Sequence, residues 1–297
     1  MLEALALQLV KYALSEDVGT GDITSHNTIK SGVKARAVIM LKEPGVLAGL
    51  DVARLTFREA DPQLKFRPLA QDGTALQAGV AVAQVMGDAG SIIKAERTAL
   101  NFLQRLSGVA TLTRRFVERV AGTGVVVLDT RKTTPGLRFL EKYAVKAGGG
   151  ENHRFALWDM YLVKDNHIRA AGGLTAAIDR IVRTRQADLL LEVEVESAEQ
   201  LKEALRPEVD RILVDNRSVA EVRAAVAAVD AWCLDHHVDS PRRPQGAARW
   251  PEVEVSGGIT LDNVAEYAAT GVNYVSVGAI THSAPALDLS LEIEEVG

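Results

Sequence analysis

The sequence contains little of what several common classes of protein require. Cys233 is the one cysteine among 297 residues, so an intrachain disulfide is impossible and a cysteine-ligated metal site is disfavoured. The formal net charge of −5 gives no general attraction for nucleic acid or anionic membranes. No apolar run is long enough to cross a bilayer, and Met1–Leu5 lacks the basic region of a signal peptide. A cytoplasmic protein that binds neither nucleic acid nor membrane is therefore expected.

The sequence also lacks two motifs that are typical of particular enzyme classes. No Gly-x-Ser-x-Gly elbow is present, which disfavours a covalent hydrolase. No glycine-rich dinucleotide motif follows the first apolar run of the C-terminal half, which disfavours a Rossmann domain. What remains favours a reaction driven by positioning and electrostatics.

The N-terminal part combines helices and strands. Apolar residues at helical spacing predict an amphipathic helix over residues 2–15, and alternation over 33–41 predicts a half-buried strand. The other elements predicted here are a turn at Glu16–Thr24 capped by Asp22, a helix over 50–59, and strands over 65–69 and 81–86. Strands and helices in this order are typical of a small α+β domain.

A long helical stretch begins at Ser91. The pair Ser107–Gly108 predicts a break, after which a second helix runs to about Arg119. Arg97 lies in the first of these helices, and the pattern alone favours a solvated arginine there.

From Val125 onward, apolar runs alternate with helical stretches. The runs are Val125–Leu128, Tyr161–Val163, Leu189–Val195, Ile212–Val214, Val253–Val255 and Tyr274–Val277, and the helices between them are Leu137–Ala147, Leu174–Arg185, Ala198–Leu205, Ser218–Leu234 and Leu261–Thr270. This alternation predicts a parallel sheet, either an α/β barrel or a doubly wound sheet, and we favour a barrel, complete or open. Trp232–Trp250 interrupts the pattern; its composition favours an inserted loop over the alternative, a Cys/His metal site.

Charged and polar residues collect at the C-terminal end of each predicted strand. These segments are Asp129–Lys132, Lys164–His167, Glu192–Glu196, Asp215–Asn216, Ser256–Ile259 and Gly278–His282. In α/β barrels the active site is built at this face. Arg131–Arg169 also holds eight lysines and arginines against four acids, which predicts binding of a small polyanion. For Asp129–Arg138 alone, a charged surface loop and an anion site are equally good interpretations.

The strand ends predict three kinds of partner. A carboxylate-like anion suits the first two ends, a metal or hydroxylated group suits Glu194 and Asp215, and a phosphate suits the last two, where Ser256–Gly258 offers backbone N–H groups. Three glutamates, Glu192, Glu194 and Glu196, occupy alternate positions and so lie on the same face of the predicted strand. At least one of them should therefore face the barrel interior or its mouth. The alternative is that this segment is a strand at the edge of the sheet, with one face exposed to solvent.

One series of motifs runs in register through nearly the whole chain. It comprises Glu16–Thr24, Glu96–Asn101, Leu106–Thr111, Asp129–Arg138, Glu141–Val145, Gly148–Arg154, Lys164–His167, Glu192–Val195, Asp215–Asn216, Ser256–Gly258 and Val277–Ser283. Together these motifs resemble the quinolinate phosphoribosyltransferase family. The resemblance implies the type II phosphoribosyltransferase architecture: an N-terminal α/β (α+β) sandwich domain over 1–112, an open α/β barrel over 113–283, and a tail, 284–297, that packs back on the first domain.

The resemblance also implies an activity. This is phosphoribosyl transfer from phosphoribosyl pyrophosphate to quinolinate with loss of CO₂, giving nicotinate mononucleotide and pyrophosphate for de novo NAD biosynthesis, with Mg²⁺. It implies a homodimer, in which Arg97 completes the neighbouring site. A higher oligomer is the alternative.

The implied site residues fall into three groups. Those for quinolinate are Arg131, His153, Arg154 and Lys164, joined by Arg97 of the second subunit; Thr130 is a further expected substrate-binding residue. Those facing the ribose, the pyrophosphate and Mg²⁺ are Lys132, Glu194 and Asp215, which are the expected catalytic residues; Glu194 and Asp215 contact the metal directly or indirectly. Those for the 5′-phosphate are Ser256, Gly257, Gly258, Val277, Gly278 and Ala279, with His282 close by.

Two alternatives stay open. One is a paralogue of the same fold, such as those associated with molybdenum transport, that acts on another substrate. The other is a non-catalytic sensor of a phosphorylated ligand. Glu194 and Asp215 argue against a sensor, because carboxylates beside a phosphate bring no advantage to simple anion binding.

Overall fold

Helices and strands cover most of residues 2–236 and 251–297, the part of the chain that the computed structural model describes. Most of the predicted Trp232–Trp250 loop thus lies outside the described residues. The chain divides into two compact units, each built from separate stretches. The first unit takes Met1–Arg114, Lys132–Gly150 and Ile280–Gly297, and the second takes Arg115–Arg131 and Glu151–Ala279.

Helices and strands are numbered separately in chain order. The helices are α1 (Leu2–Val18), α2 (Ile23–Thr28), α3 (Leu50–Ala60), α4 (Ala89–Arg119), α5 (Arg138–Ala147), α6 (Asp165–Ala171), α7 (Leu174–Thr184), α8 (Ala198–Ala204), α9 (Val219–His236), α10 (Val264–Ala268) and α11 (Ala279–His282). The strands are β1 (Lys34–Leu41), β2 (Gly45–Val46), β3 (Lys65–Pro68), β4 (Ala75–Leu76), β5 (Ala81–Asp88), β6 (Val126–Leu128), β7 (Tyr161–Val163), β8 (Leu191–Val195), β9 (Arg211–Asp215), β10 (Glu252–Ser256), β11 (Tyr274–Ser276) and β12 (Leu289–Val296).

The first unit is built on an antiparallel sheet in the order β12-β1-β5-β3. The alternating apolar residues of β1, from Ala35 to Leu41, are buried in the core as predicted. The same core contains residues from the apolar face of α4, among them Ile92 and Leu103. The C-terminal strand β12 pairs with β1 from Leu41↔Leu289 to Ala35↔Val296. The predicted cap is confirmed too, because Asp22 accepts backbone hydrogen bonds at the start of α2.

The predicted break at Ser107–Gly108 is wrong, because α4 runs without interruption through both residues. The Ser107 hydroxyl exchanges two hydrogen bonds with the backbone of Ala48, at 3.0 and 3.2 Å, so it does not compete with the helix. Gly108 is needed for a close approach: a Cβ there would lie 1.9 Å from the carbonyl oxygen of Pro285. Both residues are needed for packing. In the sequence, a Ser-Gly pair that is needed for packing cannot be distinguished from one that ends a helix.

The second unit contains six parallel strands in the order β6-β11-β10-β9-β8-β7. The first strand along the chain therefore pairs with the last, and each of the others lies beside its successor. A doubly wound sheet would place the first strand inside. The observed order is that of a barrel left open between β6 and β7, so the predicted α/β class with an open barrel is confirmed.

The edge-strand interpretation of Glu192–Glu196 is wrong. β8 pairs with both β7 and β9, and Glu192 and Glu194 are buried within it. Among the helices that the structure describes, none combines the length and the apolar content needed to span a membrane.

Candidate active site

The ends of β7 and β8 bring a lysine and a glutamate together. Lys164 follows β7 directly, and its ammonium group donates a hydrogen bond to Glu194 Oε2. Glu194 is buried, whereas about two-fifths of the Lys164 side chain (41%) is exposed. Burial raises the pKa of Glu194; Lys164 opposes this shift, and the negative charge of Asp215 adds to it. Asp215 is therefore close enough to act on Glu194.

Hydrogen bonds connect the C-terminal ends of β9 and β10. Ser256 Oγ donates to Asp215 Oδ1 at 2.5 Å, and Asn216 N donates to Ser256 O at 2.9 Å. Gly257 has φ +87°, and a Cβ there would lie 2.8 Å from Asn216 N, so only glycine fits. Because β10 pairs with β11, the predicted phosphate segments Ser256–Gly258 and Val277–Ala279 follow neighbouring strands.

The end of β6 supports two arginines. Asp129 is fully buried and accepts a hydrogen bond from the amide of His153 at 2.9 Å. Arg154 is buried, and its Nη1 donates to Met160 O at 3.2 Å. Burial lowers the pKa of Arg154, as does the positive charge of nearby Arg131. Two cations held near one another favour a ligand with two negative charges.

A buried network of charges lies behind these strand ends. His153 Nε2 is 3.0 Å from Glu192 Oε2 and 3.5 Å from Glu254 Oε1. The Glu192 contact is defined by distance alone, and it is an ion pair only when the ring is protonated: neither Glu192 oxygen has a hydrogen bond of good geometry from the described residues. Arg211 Nη1 donates to Glu254 Oε2 at 3.0 Å, and Ser276 Oγ donates to Glu254 Oε1 at 2.5 Å.

The ionisation of this network is set by burial and by mutual charge. Burial, together with the negative charge of Glu192, raises the pKa of Glu254 to about 7, although the positive charges of His153 and Arg211 oppose the rise. For His153, burial favours the neutral ring, but the two carboxylates raise its pKa overall. Arg211 also stacks 3.9 Å over the ring of Tyr274, which gives this cation a third partner.

Three predicted site residues belong to the first unit, where each is exposed. Arg97 lies on α4, and His282 ends α11 with its Nδ1 2.5 Å from Ser283 Oγ. The carbonyl of Lys132 accepts a hydrogen bond from Thr281 Oγ1 at 2.8 Å. This bond joins the segment that carries Lys132 to the segment that carries His282.

Arg105 on α4 holds the same two segments. Its Nε donates to Glu141 at 3.0 Å, and its Nη1 donates to Ala284 O at 2.9 Å. A further hydrogen bond runs from Nη2 to Thr281 O. Glu141 is fully buried and also accepts from Thr134 Oγ1 at 2.7 Å. A buried carboxylate with this many donors is stable only while they stay in place.

Two family models match consecutive parts of the chain. The model of the quinolinate phosphoribosyl transferase N-terminal domain matches residues 22–107, and that of its C-terminal domain matches residues 109–292. The chain belongs to the quinolinate phosphoribosyltransferase family.

Named members of the family are similar over nearly the whole chain. The nicotinate-nucleotide pyrophosphorylase [carboxylating] of Mycobacterium leprae is 42% identical, with 97% of each chain covered. The chloroplastic protein of the same name from Oryza sativa subsp. japonica is 40% identical and covers 96% of this chain and 77% of its own. The structure of the nicotinate-nucleotide pyrophosphorylase from Francisella tularensis superposes with a TM-score of 0.88 at 35% identity, covering 98% of this chain and 96% of that one.

In this quinolinate phosphoribosyltransferase family member, the predicted site residues other than Arg97, Lys132 and His282 lie in the second unit. Most of them follow or end a strand of its parallel sheet. Contacts join Lys164 to Glu194 and Asp215 to Ser256. The role of each residue stays a prediction.

The sequence did not point to Arg211 or Glu254 as parts of the site, and it placed Asp129 at a strand end without a role of its own. A usable signal existed for Glu254, since Glu252-Val253-Glu254 repeats the alternation of acids that drew attention to β8. Arg211 begins β9 without any distinctive neighbour. Only the register, in which Arg211 lies opposite both Glu192 and Glu252, makes it part of the network.

Proposed function

We propose that the protein transfers the phosphoribosyl group of phosphoribosyl pyrophosphate to quinolinate with loss of CO₂, and thereby makes nicotinate mononucleotide and pyrophosphate for NAD biosynthesis. Membership of the family supports this activity. The observation that carries it is the placement of Arg131, Arg154 and Lys164 at the same sheet edge as Glu194 and Asp215. A dicarboxylate and a sugar pyrophosphate need these two kinds of group side by side.

Quinolinate is proposed to bind to the cations of the second unit. The guanidinium groups of Arg131 and Arg154 suit planar carboxylates, and Lys164 adds a point charge. His153 precedes Arg154 directly and is proposed to act with it, and Thr130 precedes Arg131. Because Arg154 is buried near a like charge, a dianion relieves a repulsion that water screens poorly there.

The sugar and pyrophosphate are proposed to lie across β8 to β11. Ser256–Gly258 and Val277–Ala279 offer backbone N–H groups to the 5′-phosphate. The roles of Lys132, expected to face the ribose, pyrophosphate and metal, and of His282 stay predictions from the sequence. Glu194, Asp215 and the Ser256 hydroxyl form a set of oxygen donors of the kind that Mg²⁺ prefers. In this proposal Glu194 and Asp215 hold Mg²⁺, which when bound neutralises charge on the pyrophosphate.

Charge explains the order of bond changes. As the bond between the sugar C1 and the pyrophosphate breaks, C1 becomes cationic, and the carboxylates of Glu194 and Asp215 stabilise it. The pyridine nitrogen then donates its lone pair to C1, which makes the ring cationic. The ring takes up the electron pair of the bond to the 2-carboxylate, CO₂ leaves, and a proton replaces it. The cations must therefore hold a dianion and still release one carboxylate.

We further propose a homodimer in which Arg97 completes the quinolinate site of the second subunit. The supporting observations are that Arg97 is exposed on α4 and that it lies within one of the family motifs, Glu96–Asn101. A cytoplasmic location stays a prediction, and the names of some plant relatives place those proteins in chloroplasts or mitochondria.

The activity is tested by supplying quinolinate labelled in its 2-carboxylate together with phosphoribosyl pyrophosphate and Mg²⁺. We expect nicotinate mononucleotide, pyrophosphate and labelled CO₂ in equal amounts. Nicotinate, which lacks the 2-carboxylate, is the matched control and releases no CO₂. A paralogue with another substrate would release no CO₂ from quinolinate, and a sensor would bind the phosphorylated ligand without forming pyrophosphate; either result contradicts the proposal.

A further inference from the structure

Both ring nitrogens of His153 have partners within the second unit. Nδ1 accepts the backbone N–H of Arg154 at 2.7 Å. Nε2 faces Glu192 at 3.0 Å and Glu254 at 3.5 Å. A nitrogen that accepts an N–H carries no proton, so we assign the proton of the neutral ring to Nε2, between the two carboxylates.

Hydrogen bonds from two neighbouring strands hold the Glu254 side chain in place. Its Oε1 accepts from Ser276 on β11 and its Oε2 accepts from Arg211 on β9, so neighbours on both sides hold its strand position. Its side chain is 1% exposed, and that of Ser276 is also buried. The carboxyl group thus presents Oε1 to the imidazole from a rigid sheet rather than from a loop.

Arg154 depends on His153 in turn. The peptide N–H of Arg154 is bound by the imidazole, and that of His153 is bound by buried Asp129 at 2.9 Å. The guanidinium group is anchored at Met160 O, 3.2 Å from Nη1. Rotation of the imidazole would release the Arg154 amide and shift the start of its side chain.

We propose that Glu254 is a positioning residue: together with Glu192 it orients the His153 ring and selects its tautomer, and His153 in turn places Arg154 for the quinolinate carboxylates. In this arrangement His153 supports a ligand-binding arginine. The inference rests on the proposed function for the identity of the ligand, and on the contacts above for the rest.

A cation site at the same three residues is the competing interpretation, since one ligand atom from each of His153, Glu192 and Glu254 falls within 4.8 Å of the others. Two observations argue against it. Arg211 and Ser276 already occupy the Glu254 oxygens, and a protonated Nε2 has no lone pair for a metal. Arg211 also holds a positive charge against the Glu254 carboxylate, 3.0 Å from its Oε2, which disfavours a second cation beside it.

The test compares Glu254→Leu with Glu252→Leu. Both changes remove a buried carboxylate from β10 that contacts Arg211, at 3.0 Å for Glu254 and 3.5 Å for Glu252, but only Glu254 faces His153. We expect Glu254→Leu to raise the KM for quinolinate roughly tenfold, with kcat and the KM for phosphoribosyl pyrophosphate changed by less than about threefold. Glu252→Leu should leave all three constants within about threefold.

A spectroscopic measurement reads the tautomer without requiring turnover. In protein labelled with ¹⁵N-histidine, the His153 signals are identified by their loss in His153→Phe. At a pH above the raised pKa of His153, where the ring is neutral, the wild-type ring should show a single tautomer with an unprotonated Nδ1, whereas Glu254→Leu should show a mixture. If Glu254→Leu does not fold, Ser276→Ala removes one hydrogen bond from Glu254 and should shift both measurements in the same direction by a smaller amount.

Three results would overturn the proposal. One is an unchanged tautomer and KM in Glu254→Leu, and another is an equal effect of Glu252→Leu. The third is binding of Mn²⁺, added alone, that is lost in Glu254→Leu and His153→Phe but kept in Glu194→Gln, which would make the cluster a cation site. Absence of turnover in the wild-type protein would contradict the proposed function instead, and the tautomer would still test the role of Glu254.

Discussion

Lys164 and Glu194 form an ion pair that joins the ends of two neighbouring parallel strands, β7 and β8. The lysine is partly exposed and the glutamate is buried, so the pair presents positive charge toward solvent and keeps its negative charge inside. Lys164 opposes the rise in the Glu194 pKa that burial causes. One side chain thus serves the proposed quinolinate site and the ionisation of a proposed catalytic carboxylate.

Lys164→Ala should therefore abolish turnover without unfolding the protein. We expect kcat/KM for quinolinate to fall by at least about 100-fold, because a ligand cation is lost and the pKa of Glu194 rises further. Arg131→Ala should behave in the same way. Lys202→Ala, on the exposed side of α8, is the matched control. Near wild-type kcat/KM in Lys164→Ala or Arg131→Ala, measured on protein with an unchanged circular dichroism spectrum, would refute the site assignment.

Arg97→Ala tests the proposed sharing of sites between subunits. Alone, this variant should be inactive, since every quinolinate site would lack a cation. When it is unfolded and refolded with Lys164→Ala, mixed dimers contain one intact site each, and activity should return to about a quarter of wild type if subunits assort at random. Refolding each variant by itself is the control. Mixing that restores no activity, although mixed dimers are isolated by tags, would exclude a shared site.

Arg105→Met should destabilise the protein. The change leaves the fully buried Glu141 without its cation, and loss of one partner of a buried pair costs about 3 kcal/mol. Urea unfolding measures the free energy. Arg115→Met on the same helix is the control, because Arg115 is exposed. Equal unfolding midpoints for the two variants would show that the Arg105 contacts contribute little.

Gly108→Ala separates a packing role from a helix break. The new methyl group would lie 1.9 Å from Pro285 O, so the tail must move, and we expect a loss of about 2 kcal/mol or more in unfolding free energy. Gly90→Ala is the matched control in the first turn of α4: its nearest neighbour would be an Asp88 oxygen at 3.4 Å. Alanine favours a helix by up to about 1 kcal/mol over glycine, so that variant should be unchanged or more stable. A stabilised Gly108→Ala would disprove the packing role.

The raised pKa of Glu254 predicts how stability depends on pH. With a pKa of about 7 in the folded protein and an ordinary value of 4.5, Glu254 takes up a proton when the protein folds at a pH between these values. Its contribution to stability is present below about pH 4.5 and is lost as the pH rises through about 7, by at most about 3 kcal/mol. Glu254→Gln cannot ionise, so between about pH 5 and about pH 8 the wild-type protein should lose more unfolding free energy than this variant. Parallel curves for the two proteins would contradict the shifted pKa.

Much of the secondary structure was predictable because it depends on local periodicity. The alternation in β1 and the apolar runs of the second unit identified their strands to within a few residues. The residues after those runs identified the candidate site, since parallel strands bring their C-terminal ends to one edge whatever their order. The long motifs occur in the same order as in a known family, and this similarity then identified the class of activity.

Tertiary structure alone decided the features that depend on distant pairs of residues. The apolar runs by themselves did not predict the order of the strands or the position at which the barrel is open, because many orders bury the same runs. The sequence misplaced a break at Gly108, because the reason for that glycine is a carbonyl at Pro285. It also gave no sign that His153 lies 3.5 Å from Glu254, because the two residues are distant along the chain and meet only in the folded sheet. Local patterns determine which residues can form the site, and the packing of the sheet decides what each of them touches.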